Sequence, residues 1–225
     1  MRNLLQKLPF AVEFAVVLAG AFGLVIGSSL WTTLNSHGAG AGPSEAAAWR
    51  TVALEVITLG VLGAFLWARG WKAERLGLDS HWMDGLWGLA LAAVAYAAIY
   101  LTYGILAAAA PNLLHTGGKA VRAAPSLSPY VVGAMVLVYA FYEEFFVGGY
   151  LISALKEKSL PNLAINLSVA IRLAAHLFQG TASIVLMIPI GLIFGTWYAR
   201  YGRLWPLILA HALLNAWSYA PYIKW

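Results

Sequence analysis

Long apolar stretches, separated by short polar segments, recur along the whole of this 225-residue chain. The hydrocarbon core of a bilayer is about 30 Å thick, and roughly 20 helical residues are needed to cross it. By this length criterion we expect about seven spans. They lie at residues 8–34, 51–68, 83–110, 129–155, 162–178, 181–199 and 204–223. The pattern predicts an all-α fold, a polytopic membrane helical bundle of about seven transmembrane helices.

The composition supports a membrane protein and excludes several other classes. Apolar residues make up 61% of the chain and charged residues 10%, whereas about a quarter of the residues in soluble domains are charged. The absence of cysteine rules out disulfides and thiolate metal sites or nucleophiles. The net charge of +5 is not a nucleic-acid signature, because the basic residues are scattered over short loops. We therefore expect membrane lipid around the chain and no nucleic-acid partner.

Lysine and arginine are divided unevenly between alternate loops, which predicts the orientation of the bundle. With the N-terminus inside, nine of them fall on the inner side and four on the outer side. The inner set is Arg2, Lys7, Arg69, Lys72, Arg75, Lys156, Lys158, Arg200 and Arg203, and the outer set is Arg50, Lys119, Arg122 and Lys224. We predict an integral protein of a bacterial plasma membrane, with its N-terminus cytoplasmic and its C-terminus outside.

Two adjacent carboxylates, Glu143 and Glu144, interrupt the fourth apolar stretch. An ionised acid at the bilayer centre costs at least ~2.5 kcal/mol, so a pair of acids in a spanning helix indicates a functional site that faces the protein interior. Glu13 and Glu55 lie nearer the ends of their spans. We expect these two side chains to snorkel or to form pairs rather than to take part in catalysis.

Further polar residues lie inside the later apolar stretches. Arg172 and His176 are four residues apart, and so are His211 and Asn215, which places each pair on one face of a helix. A lone histidine or asparagine in a membrane helix usually packs or joins two helices through a hydrogen bond. Acids, histidines, an amide and an arginine in three of the last four stretches indicate one shared site.

The order and spacing of Glu143-Glu144, His176, and then His211 with Asn215 resemble the CAAX protease and bacteriocin-processing (CPBP) family of intramembrane proteases. This family is also called the Abi or type II CAAX prenyl endopeptidase family. The resemblance runs from about residue 131 to the C-terminus and follows the pattern EExxxR, FxxxH and HxxxN. Two positions depart from the pattern, because the motif arginine is Gly148 here and the motif phenylalanine is Arg172.

The resemblance implies an intramembrane endopeptidase that acts on a membrane-associated peptide or protein. In the scheme proposed for the family, Glu143 takes a proton from water with help from His176, while His211 and Asn215 donate to the oxyanion. Glu144 belongs to the same catalytic motif. The residues alone also permit a metal site in which Glu143, His176 and His211 bind zinc and an open position holds water. The sequence does not decide between zinc and no metal.

The missing motif arginine leads to a prediction about charge. Gly148 lies four residues after Glu144 and cannot pair with it, whereas Arg172 lies one turn from His176. We predict that Arg172 supplies the missing charge from the neighbouring helix, with its guanidinium within about 4 Å of Glu144 or Glu143. A lipid-facing Arg172 would favour the alternative function, a catalytically impaired pseudoprotease or scaffold that binds a membrane partner. A proton-coupled transporter is a third reading of buried acids and histidines.

We expect the 225 residues to form one membrane domain. Residues 1–127 contain three spans and an outer linker, and the sequence assigns no function to them. Residues 128–225 form the CPBP-like catalytic core.

Overall fold

The computed structural model of the chain describes residues 6–35, 44–116 and 127–224. Within these ranges the chain is helical, with an isolated parallel bridge between Leu127 and Ile223. This confirms the predicted all-α membrane bundle. The helices are α1 (Phe10–Asn35), α2 (Glu45–Ala68), α3 (Asp84–Ala109), α4 (Pro111–Thr116), α5 (Pro129–Lys156), α6 (Pro161–Ala175), α7 (Thr181–Tyr201) and α8 (Trp205–Tyr219).

Five of these helices, α1, α2, α3, α5 and α7, are long and apolar enough to cross a membrane. The sequence predicted two more spans, which correspond to α6 and α8. These two helices are shorter than predicted, because each has only 15 residues, or roughly 22 Å. Helix α6 gives way to a 3₁₀ turn, Leu177–Gln179, before Gly180 at φ 89°. Helix α8 ends in the 3₁₀ turn Ala220–Tyr222, where Pro221 cannot donate to a continuing α-helix.

Helix α5 lies at the centre of the bundle and changes its geometry halfway along. Its residues Glu144–Ile152 form a π-helix, and every one of them is buried. Gly148 and Gly149 permit this close packing, because a Cβ atom at Gly148 would lie 3.1 Å from Leu204 Cδ1 and one at Gly149 would lie 3.1 Å from the carbonyl oxygen of Leu76. π-Helical segments are rare and occur frequently at functional sites.

The first three long helices pack directly against the last four. Helix α3 contacts α8 and α7, α2 contacts α5, and α1 contacts α6. The apolar core therefore continues across the predicted boundary at residue 127. Residues 36–43 and 117–126, the second of which belongs to the predicted outer linker, lie outside the described residues.

Glu13 forms pairs, as expected for an acid near the end of its span. It forms an ion pair with Arg69 and accepts hydrogen bonds from Trp71 Nε1 at 2.9 Å and Tyr150 Oη at 3.2 Å. These contacts join α1, the segment after α2, and α5. Glu55 differs, because its Oε2 is buried without a hydrogen-bond partner among the described residues. The other oxygen of Glu55 is not in this group of buried atoms without a partner and the side chain is only partly buried, so the expectation that Glu55 snorkels or pairs stays a prediction.

Candidate active site

Glu143 and Glu144 lie at the junction between the α-helical and π-helical parts of α5. The side chain of Glu144 is fully buried, while that of Glu143 keeps 16% of its surface exposed. The two acids are adjacent in the chain but have different surroundings. Glu144 is enclosed by protein groups, and Glu143 faces a cavity.

Arg172 binds both carboxylates from helix α6. Its Nη1 donates to Glu144 Oε1 at 2.9 Å and its Nη2 donates to Glu144 Oε2 at 2.7 Å. Nη1 also forms an ion pair with Glu143. The planar guanidinium thus donates to both oxygens of one carboxylate. Such bidentate charged pairs are stronger than hydrogen bonds between neutral groups. The structure thus contains the ion pair expected from the sequence, with one cation shared by two acids.

Gly148 faces the same carboxylate, and a side chain there would be crowded. A Cβ atom built there would lie 3.6 Å from Glu144 Oε2 and 3.1 Å from Leu204 Cδ1. The position of the family's motif arginine therefore points toward Glu144, and Leu204, just before α8, crowds the space that an arginine would need. This explains in steric terms why the positive charge comes from α6.

His176 follows the last residue of α6 and caps its C-terminus, whereas the sequence placed it inside a longer helix. Its Nδ1 lies 2.8 Å from the backbone oxygen of Arg172. A carbonyl oxygen only accepts hydrogen bonds, so Nδ1 carries the proton. In the neutral ring, Nε2 therefore keeps a lone pair that can accept a proton.

His211 contacts Glu144 from helix α8. Its Nδ1 lies 2.7 Å from Glu144 Oε1, the same oxygen that accepts from Arg172. Because Glu144 is ion-paired and accepts, the His211 Nδ1–H donates to it. This contact fixes the orientation of the ring and leaves Nε2 available. The ring of Phe194 lies beside it, with 6.2 Å between the ring centroids.

A cavity of about 440 Å³ joins these groups. Five of the six residues selected from the sequence line it: Glu143, Arg172, His176, His211 and Asn215. The sixth, Glu144, lies behind them and holds Arg172 and His211 in place. The structure therefore brings the predicted residues of three separate helices to one cavity.

The sequence reasoning missed one wall of this cavity. Tyr96, Tyr100 and Tyr103 of α3 line it together with Trp217 of α8. The spacing of four and three residues places the tyrosines on one helix face, and this was the available indication. Tyrosines at this spacing are also common on ordinary packing faces and in interfacial aromatic belts. The spacing alone therefore did not identify α3 as part of the site.

The donor set does not fit the metal site that the sequence left open. Ligand atoms of Glu143, Glu144 and His211 lie within 4.8 Å of one another in the described part of the chain. His176, which was one of the expected ligands, does not belong to this group. Arg172 donates to both acids, so a cation bound by them would lie against the guanidinium. We therefore derive no step through a metal.

An apolar helical bundle that encloses acids, histidines and an arginine around a cavity is an integral membrane protein with a polar internal site. Residues 125–217 are similar to a known family, because they match the family model of type II CAAX prenyl endopeptidase Rce1-like proteins. The match includes all six site residues and confirms the resemblance inferred from the motifs, and the family supports a protease. No curated protein and no solved structure matches the chain.

Proposed function

We propose that this chain is an intramembrane endopeptidase that hydrolyses a membrane-associated peptide or protein with water activated by Glu143 and His176. One observation carries the proposal: Glu143, His176, His211 and Asn215 line a single cavity. The cavity lies inside an apolar bundle, so a substrate that is already in the membrane is the kind that can reach it. Lipid surrounds the protein, and the proposal includes no nucleic acid.

In the first step, a water held between Glu143 and His176 Nε2 gives a proton to Glu143. Its oxygen attacks the peptide carbonyl carbon, and the carbonyl oxygen takes up negative charge. A positioned carboxylate is suited to this base step, which contributes typically 10²–10⁴-fold in rate. The proton then passes to the leaving nitrogen as the C–N bond breaks, and His176, which lines the same cavity as Glu143, assists this transfer.

The oxyanion is stabilised by donors from α8. The amide of Asn215 can donate directly, because it lines the same cavity. His211 already donates from Nδ1 to Glu144, so it donates to the oxyanion from Nε2 only in its doubly protonated form. That form balances the site, since Arg172 and the imidazolium then offset the two carboxylates. Removing one oxyanion donor typically costs ~10²–10³ in kcat.

Cleavage by the purified protein tests this proposal. The wild type, Glu143→Gln and Glu157→Gln are incubated in detergent or vesicles with a library of labelled, membrane-associated peptides, and the products are identified by mass spectrometry. Glu157 pairs with Arg75 at the exposed end of the bundle, so its variant is a matched control. The proposal predicts cleavage by the wild type and the control, and a loss of about 10² or more in Glu143→Gln. Cleavage that survives in Glu143→Gln would overturn the mechanism, and peptide binding without cleavage by the wild type would favour the pseudoprotease.

The cytoplasmic N-terminus remains part of the proposal. It is supported by the uneven distribution of basic residues and by the contacts that bring Arg69, Arg75, Lys156 and Arg203 to neighbouring segments. The chain has no cysteine, so single cysteines can be introduced at Lys158 and Lys224. In intact bacterial cells an impermeant thiol reagent should label the Lys224 variant and not the Lys158 variant, and the reverse pattern would invert the orientation.

A further inference from the structure

A buried serine joins the first long helix, α1, to the candidate active site. Ser29 is a polar residue in an apolar helix, and only 2% of its surface is exposed. Its Oγ accepts a hydrogen bond of 3.1 Å from the backbone N–H of Phe178, which lies 149 residues further along the chain. Serine side chains often join membrane helices in this way, because an unpaired backbone donor is costly away from water. The mechanism proposed above does not use this contact.

The amide that Ser29 accepts from lies in the 3₁₀ turn after α6, Leu177–Gln179. His176 comes directly before this turn and Gln179 ends it, and both residues line the cavity. The N–H of Gln179 donates to the backbone oxygen of His176 at 3.0 Å, so the turn closes around Phe178. Ser29 therefore contacts the middle of a short segment that carries two residues of the cavity.

Two contacts connect the turn and α6 to the imidazole ring of His176. The rings of His176 and Phe178 are stacked, with 6.5 Å between their centroids and 19° between their planes. The His176 Nδ1 atom lies 2.8 Å from the backbone oxygen of Arg172 in α6. Because the ring is held by α6 on one side and by Phe178 on the other, the position of its Nε2 atom depends on where the turn lies.

Helix α1 is a well-packed support for the turn, and it also offers an internal control. It packs against both α6 and the turn Leu177–Gln179, and its residues Val17 and Ala21 belong to the buried core. The neighbouring Ser28 is exposed, and its Oγ donates to the backbone oxygen of Val25 within α1 at 2.9 Å. Two adjacent serines of one helix thus differ in burial and in the element that they contact.

We propose that Ser29 is a positioning residue of the site, which anchors the turn after α6 and so holds His176 Nε2 where it meets the attacking water. The catalytic consequence rests on the proposed function. Without the hydroxyl, the N–H of Phe178 loses its acceptor and the turn is free to shift. A displacement of about 1 Å at a reacting group can cost ~10²-fold in rate. Ser29 is not one of the described residues that line the cavity, so substrate binding should not depend on it.

Amide hydrogen exchange tests the anchor without any need for activity. The purified full-length protein is exchanged in lipid nanodiscs, and the amides of residues 174–181 are resolved by mass spectrometry. In Ser29→Ala the Phe178 amide should exchange about fivefold faster, the effect of one lost hydrogen bond. The matched control Ser28→Ala should exchange at the wild-type rate, and Ser29→Thr, which retains a hydroxyl, should restore slow exchange. Equal exchange of this amide in the wild type and Ser29→Ala would overturn the proposal.

Cleavage kinetics test the catalytic consequence. Ser29→Ala should lower kcat per folded molecule about tenfold and leave KM within about twofold of the wild type. Ser28→Ala should change neither constant, and Ser29→Thr should recover most of kcat. The folded fraction is measured by thermal unfolding of the same preparations.

A serine that only joined two helices would lower stability and leave kcat per folded molecule at the wild-type value. That result in Ser29→Ala would contradict the positioning role. A wild type without any cleavage would instead reject the proposed function, and the exchange of the Phe178 amide would still decide whether Ser29 anchors the turn.

Discussion

Two buried acid clusters in this protein look alike in burial but differ in how their charge is balanced. At one end of the bundle, Glu13 meets Arg69, Trp71 and Tyr150, so donors use both of its oxygens. In the site, Arg172 serves two carboxylates, and one of these, Glu143, lines a cavity. The first cluster has one acid for one arginine, whereas in the second cluster two acids share one arginine and His211 also contacts one of them. Burial and pairing therefore mark structural and functional acids equally, while two acids that share one arginine beside a cavity mark the functional cluster.

The largest effect should follow from Arg172→Phe, which restores the family's residue at that position. Both carboxylates would lose their cation, and breaking a buried ion pair typically costs ~3–5 kcal/mol. We expect a large fall in thermal stability together with loss of cleavage. Thermal unfolding in detergent, followed by circular dichroism, measures the first effect. A variant as stable as the wild type would show that the acids do not need Arg172.

A smaller loss is expected for Glu144→Gln. Both oxygens of Glu144 accept hydrogen bonds, from Arg172 and His211. The amide nitrogen of glutamine must then face a donor on one side, and a lost hydrogen bond to a charged group costs ~1.5–3 kcal/mol. Activity should fall as well, because His211 loses the acceptor that orients it. Unchanged activity would remove Glu144 from the account.

Glu13→Gln should lower the stability of the protein without changing its catalysis, unlike substitutions in the site. We expect a loss of stability of ~1–3 kcal/mol, since one charged partner becomes neutral. The kcat per folded molecule should not change, because Glu13 lies in the structural cluster. The comparison between the clusters fails if this variant loses cleavage as completely as Glu143→Gln does.

Removal of metal ions should have the smallest effect of all. Arg172 contacts the carboxylates that would otherwise bind a cation, so treatment with a chelator should leave the rate of cleavage unchanged. Loss of activity that added zinc restores would replace the mechanism based on Glu143 and His176 alone with a metal-dependent one.

The sequence predicted the bundle well because the length and polarity of apolar stretches determine membrane helices directly. It also selected the six residues that the structure brings together at the cavity, since charged and amide groups stand out in an apolar chain. It could not find the tyrosine wall of α3, because aromatic residues are ordinary in membrane helices. The lengths of α6 and α8 were also missed, since a hydropathy pattern does not show where 3₁₀ turns begin.

Moving the positive charge of the site from α6 to α5 tests the central claim most directly. Arg172→Phe removes the charge, and Gly148→Arg returns it at the family's position. Leu204→Ala is added because Leu204 lies 3.1 Å from a Cβ atom at position 148. Cleavage and thermal stability are measured for the wild type, Arg172→Phe, and the triple variant. The account predicts that both fall sharply in Arg172→Phe and recover in part in the triple variant. Wild-type cleavage and stability in Arg172→Phe alone would contradict it.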